Sequence, residues 1–175
     1  MKRKWNADEA REFFENEYPV IYRYAFYLTG EKEVAQDICQ EVFLRWFSLD
    51  RPEEIEQPRA WLRKVCTHLS YNYLRHRNVR LNLEDYEALE SKEIASNMDR
   101  DLTNFEVEEA LKRLSWKDQL LLKLRMEGLS YKEIAEVMGI SLGSVGTLLA
   151  RAMKRFKVEY EGKEVADAER NAVSG

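Results

Sequence analysis

From Asp8 to Phe47 apolar and aromatic residues return every three or four positions, in two runs parted at Leu28, Thr29 and Gly30. That period is one face of a helix, and the glycine marks where one helix stops and the next begins. A helical hairpin is expected. The stretch SLDRPEEIEQP then holds two of the three prolines and ends helical continuity. A third helix is predicted from about Arg59 to His76, with Leu62, Val65, Leu69 and Tyr73 on its packed side and Arg63, Thr67, Tyr71 and Arg75 facing out. From Val79 to about Thr103 no steady apolar period survives, which predicts a linker with at most partial helix. Helical periodicity resumes at Asn104, and residues 104–157 suffice for three or four helices, a second small domain. The expected fold is all-α: two small helical domains, 1–78 and 104–160, joined by an acidic linker at 79–103 and followed by a flexible tail at 161–175.

The window YKEIAEVMGISLGSVGTLLARAMKRF, Tyr131 to Phe156, is the most specific local pattern. Ser130 with Glu133 reads as a capping box that starts one helix, and Gly139 supplies the left-handed conformation that ends it. Ala135 is small enough for a second helix to cross closely, and Ser141 is placed to cap that helix. Leu142, Val145, Leu149, Ala152 and Phe156 mark its packed face, while Ser144, Thr147, Arg151, Lys154 and Arg155 lie on its other sides. This is the pattern of a helix-turn-helix, in which small hydroxyl residues approach base edges and longer cations reach phosphates. No Asn or Gln is available on this helix for adenine, and only Arg151 suits guanine.

Charge sharpens the picture. The formal net charge is −4, yet residues 59–80 carry six basic side chains and no acid, and 141–160 carry four against one. Residues 81–104, between them, carry two against seven. Two cationic stretches on a background that repels polyanions predict two separate polyanion contacts. The first sets an aromatic, Tyr71, among Arg63, Thr67 and Arg75, a combination suited to single-stranded nucleic acid because cations follow the backbone while a ring stacks on a base.

Other classes find little support. There is no Gly-rich phosphate loop and no nucleophile with a plausible base, so an enzyme is not expected. Cys66 and His68 are two apart and point to different sides of a helix, so neither a metal site nor any other cofactor is expected. Cys39 and Cys66 read as small buried hydrophobes. No apolar run approaches the ~18 residues that would span a bilayer, and a cytoplasmic protein without membrane insertion is expected.

Three segments carry a family resemblance. AQDICQEVFLRWF (Ala35 to Phe47), PRAWLRKVCTHLSYNYLRHR (Pro58 to Arg77) and LSWKDQLLLKLRMEGLSYKEIAEVMGISLGSVGTLLARAMKRF (Leu114 to Phe156) resemble, in order, the core-binding helix, the minus-10 helix and the minus-35 domain of bacterial RNA polymerase sigma factors. The similarity is greatest to the small extracytoplasmic-function type, which keeps only these two domains. It implies a transcription initiation factor that brings core RNA polymerase to promoters, recognises their minus-10 and minus-35 elements and helps open the DNA.

Residue by residue, the resemblance implies that Asp37, Gln40, Glu41, Phe43 and Arg45 dock on the polymerase, whose large catalytic subunit and flap are the expected partners. Composition offers a weaker version, since Gln40, Glu41, Phe43 and Leu44 mix polar and apolar side chains on one short helix, as partner surfaces or intramolecular faces do. The resemblance further implies that Arg63, Lys64, Thr67, His68, Tyr71, Asn72 and Arg75, with the loop Ser48 to Gln57, hold single-stranded promoter DNA. Ser144, Thr147, Arg151, Lys154 and Arg155 would contact the minus-35 duplex, and an anti-sigma factor, membrane-linked, would hold the chain inactive. His68 and Asn72 stand where the family often has Asn and Asp, and Gly146 and Leu148 stand where basic residues are common. About 25 linker residues reach up to roughly 80 Å at ~3.3 Å each, more than two ~34 Å turns of duplex. The rival expectation is a dimeric helix-turn-helix repressor or activator.

Overall fold

The structure, a computed structural model, describes the backbone of residues 6–84 and 102–173 and the side chains of 6–81 and 105–162. Among these residues every regular element is helical, and the chain divides into two compact units, Met1–Ile94 and Ala95–Gly175.

The first unit packs three helices against one another: α1 (Ala7–Thr29), α2 (Lys32–Phe47) and α3 (Pro58–Glu84), with a single 3-10 turn at Pro52–Glu54 before α3. Asn6 starts α1 by accepting from the Glu9 N–H at 2.8 Å, while the Glu9 carboxylate accepts from the Asn6 N–H at 3.0 Å. Such caps contribute about 1 kcal/mol. Gly30 ends α1 at φ 78°, its N–H reaching the Phe26 carbonyl at 2.7 Å. The core joins Ile21, Ala25 and Leu28 to Ile38, Val42 and Trp46 and to Leu62, Cys66 and Leu74. Both cysteines are buried free thiols, and burial pushes each up to about 12.

Helix α3 runs past His76 to Glu84. Its far end is tied to the α1–α2 turn by Glu31, which accepts from Tyr73 Oη at 3.1 Å and from the Arg77 guanidinium. The Asn78 amide also donates back to the Leu74 carbonyl at 2.7 Å.

The second unit comprises α4 (Leu102–Lys112), α5 (Trp116–Met126), α6 (Tyr131–Met138) and α7 (Leu142–Val173), with α7 packed on the other three. Its core is Leu111, Leu114, Leu120, Leu121, Leu124, Ile134, Val145, Leu149 and Ala152. Helix α7 continues to Val173, through most of the stretch expected as a tail. Beyond Glu161 the sequence holds no proline and a single glycine before residue 174, among Ala, Glu, Lys and Arg of high helix propensity. Lys157 and Glu161 add an i,i+4 pair at 3.5 Å. The expected linker segment falls largely outside the described residues. No single described helix is long and apolar enough to cross a membrane.

Candidate nucleic-acid and protein interfaces

On α3 the buried positions are Leu62, Cys66, Thr67, Ser70 and Leu74. Small residues, Cys66, Thr67 and Ser70, make the middle of this face, and Val65, Leu69 and Tyr73 are its half-buried flanks. Thr67, expected to face out, is therefore corrected to a core position at 2% exposure. Its hydroxyl donates to the Arg63 carbonyl at 2.7 Å and accepts from Tyr24 Oη at 2.9 Å.

The outward face of α3 carries exposed Lys64, Asn72 and Arg75, with His68 half-buried among them and half-buried Tyr71 at its edge. The Arg75 guanidinium lies 5.9 Å over the Tyr71 ring, and exposed Arg63 lies 4.7 Å over Tyr24. Two other cations of the acid-free stretch are committed internally: Arg59 donates to the buried Glu17 carboxylate at 2.7 Å, and Arg77 pairs with Glu31. The face as a whole is a basic strip with one ring set into its margin. That strip offers phosphate contacts and a stacking surface together.

On α2 the residues expected to meet a partner separate. Asp37, Gln40 and Arg45 are exposed and Glu41 half-buried, with Arg45 donating to Glu41 at 2.7 Å. Phe43 is 3% exposed, its ring edge-on to Phe14 at 4.9 Å and stacked on Tyr18 at 5.8 Å, so its expected partner contact is corrected to an intramolecular one. The apolar members of the open face are Leu44, 63% exposed, and Phe47, 52% exposed. The i, i+3, i+4 steps from Asp37 through Gln40 and Glu41 lead to Leu44, one position past Phe43.

In the second unit α6 and α7 meet at 94° across Gly139, which sits at φ 62°. The Ser130 hydroxyl accepts from the Glu133 N–H at 3.3 Å, and the Glu133 carboxylate accepts from the Ser130 N–H at 2.8 Å. On α7, Thr147, Arg151 and Lys154 are exposed, and Ser144 is half-buried with its hydroxyl paired to that of Ser141. Leu142, expected on the packed face, is 57% exposed at the first helical position. The packing is done by Val145, Leu149 and Ala152 further along.

Arg155 has an intramolecular partner, donating to Asp118 at 2.7 Å where Asp118 lies in the first turn of α5. This ion pair holds α7 against α5, with the Arg155 side chain still 60% exposed. Arg155→Ala is expected to lower the stability of this unit by about 1 kcal/mol, since the guanidinium is well exposed and screened. Thermal denaturation followed by circular dichroism checks it, with Arg151→Ala expected to leave the midpoint unchanged.

The sequence pattern missed Tyr131. Its ring is 43% exposed at the start of α6, with the Arg125 guanidinium 5.4 Å over it. A Cβ at Gly146 would meet its Cε2 at 3.5 Å. A glycine in mid-helix facing an aromatic one element earlier was the available signal.

Comparison with known proteins extends the geometry. The sigma-70 region 2 model matches residues 13–80, and the sigma-70 region 4 model matches residues 104–156. The ECF RNA polymerase sigma factor BldN of Streptomyces coelicolor is 31% identical over 85% of this chain, and SigE of Mycolicibacterium smegmatis is 28% identical over 87%. The chain spans 59% and 61% of those two relatives' lengths. Among solved structures, the sigma factor RpoE of Bartonella quintana, determined with the anti-sigma factor NepR, shares the fold at a TM-score of 0.62. Its identity is 20%, over 89% of this chain and 98% of that one. With both family regions present in order on separate helical units, the chain belongs to the sigma-70 family, in its extracytoplasmic-function type.

Proposed function

We propose that the chain is a dissociable initiation subunit that binds core RNA polymerase through the open face of α2 and directs it to promoters. The exposed strip of α3 takes the displaced strand at the minus-10 element, and α7 docks on the minus-35 duplex. The observation that carries this reading is the placing of exposed cations on two helices of different units, with an acidic segment between them. Residues 79–103 would act as the tether, too negative to join the DNA.

On this reading the chain supplies address and strand capture while the polymerase performs the chemistry. The face formed by Asp37, Gln40, Glu41, Leu44 and Arg45 mixes charged, polar and apolar groups, as transient protein interfaces do. The polymerase's large catalytic subunit and flap are the expected docking surfaces. The protein works in the cytoplasm, where an anti-sigma factor, membrane-linked, holds it off the polymerase until its signal arrives.

Arg151→Ala is expected to weaken holoenzyme binding to promoter duplex about tenfold, as loss of one charge-assisted contact worth ~1.5 kcal/mol would. The advantage of promoters that carry a minus-35 element should shrink without disappearing. Gel filtration tests the wider reading. A chain that elutes alone as a monomer and shifts onto core polymerase supports it, and a stable dimer that ignores the polymerase overturns it.

A further inference from the structure

The first nine residues of α7, Leu142 to Ala150, contain no charged side chain, no Asn and no Gln. They are the residues that a helix-turn-helix presents to base edges. Among them Leu142, Gly143, Thr147 and Ala150 are exposed, and no atom lies within 4 Å of where a Gly143 Cβ would stand. The first cation is Arg151, followed by Lys154, so positive charge begins only in the third turn. Purine edges in the major groove are read by forked donors and acceptors, which this surface lacks before Arg151. Thymine presents a 5-methyl group, which is read by nonpolar contact.

Building on the promoter reading above, we propose that α7 recognises the minus-35 duplex chiefly through thymine 5-methyl groups, with Leu142 and the methyl of Thr147 as the specificity-determining contacts. The side chains fit this division. Leu142 is a large apolar group left 57% exposed on a helix whose core is supplied by Val145, Leu149 and Ala152. Open Gly143 and small Ala150 let the helix approach the groove floor, and Arg151 and Lys154 remain for phosphates. Tyr131, its ring 3.5 Å from where a Gly146 Cβ would stand, flanks this surface with an aromatic.

The test uses holoenzyme made from the full chain and core polymerase. A duplex library randomised over the minus-35 region is selected for binding, and the winning duplex is resynthesised with single thymines replaced by uracil, or single guanines by 7-deazaguanine. Uracil at two or three positions is expected to weaken binding about fourfold each, the factor corresponding to one methyl group removed from water. Leu142→Ala should abolish the uracil effect at one of those positions while leaving the others, and 7-deazaguanine should change little. Uracil without effect alongside strong loss on 7-deazaguanine overturns the inference and leaves promoter binding standing. A holoenzyme that selects no sequence at all overturns the promoter reading and the inference with it.

Discussion

A chain carrying Leu44→Glu is expected to fold with native stability and to lose at least about thirtyfold in affinity for core RNA polymerase, as a central hot spot worth ~2 kcal/mol would. The neighbouring Phe43→Ala is expected to do the opposite. Leu44 is 63% exposed and makes no part of the core, whereas Phe43 is 3% exposed between Phe14, Tyr18 and Phe47. Emptying that place should cost ~3 kcal/mol or more in stability. The folded fraction should still bind polymerase. Titration of labelled chain with core enzyme, beside urea denaturation of each variant, separates the two effects. Equal losses of affinity per folded molecule would mean that α2 docks through some other face.

The difference between Phe43 and Leu44 shows what periodicity reads well and what it does not. Helix existence was legible wherever bulky apolar residues recur, and two of the three left-handed glycines were legible because that backbone costs other residues so much. Gly30 and Gly139 stand at φ 78° and 62° where the pattern placed them. The phase of α3 was harder. Its packed face is built from Cys66, Thr67 and Ser70, residues whose burial depends on close helix approach rather than on hydrophobicity. Periodicity therefore places Thr67 on the outer face, and its burial and its hydrogen bonds to Tyr24 and Arg63 reveal its place. Arg155 illustrates a second limit. A cation on a polar helix side looks available until its carboxylate, Asp118, is found 37 positions away in sequence. The helical run beyond Glu161 was missed because the pattern lacked an apolar stripe, while propensity alone favours helix there.

Tyr71→Ala is expected to slow open-complex formation by about 5- to 150-fold, the range given by the ~1 to 3 kcal/mol of one base stacked on an aromatic. Binding to closed duplex should be nearly unchanged. The ring lies at the margin of the α3 strip with Arg75 5.9 Å over it, so it offers an unpaired base a π-face next to a cation for the backbone. Thr67→Val serves as the comparison. It removes a buried hydroxyl, and a stability loss of about 1 kcal/mol is expected with no change in strand capture. Permanganate footprinting of the melted region, followed in time, distinguishes these outcomes. A Tyr71→Ala chain that loses duplex binding as strongly as it loses opening would contradict the division of labour between α3 and α7.

The account rests on this chain giving core polymerase an address that neither has alone. Run-off transcription measures that directly, using core enzyme, a template carrying the duplex selected by the holoenzyme, and the chain added or withheld. The predicted result is a discrete transcript only when both proteins are present, abolished by Leu44→Glu and reduced by Arg151→Ala. A transcript pattern indifferent to the chain, with the chain alone binding the template tightly as a dimer, would contradict it.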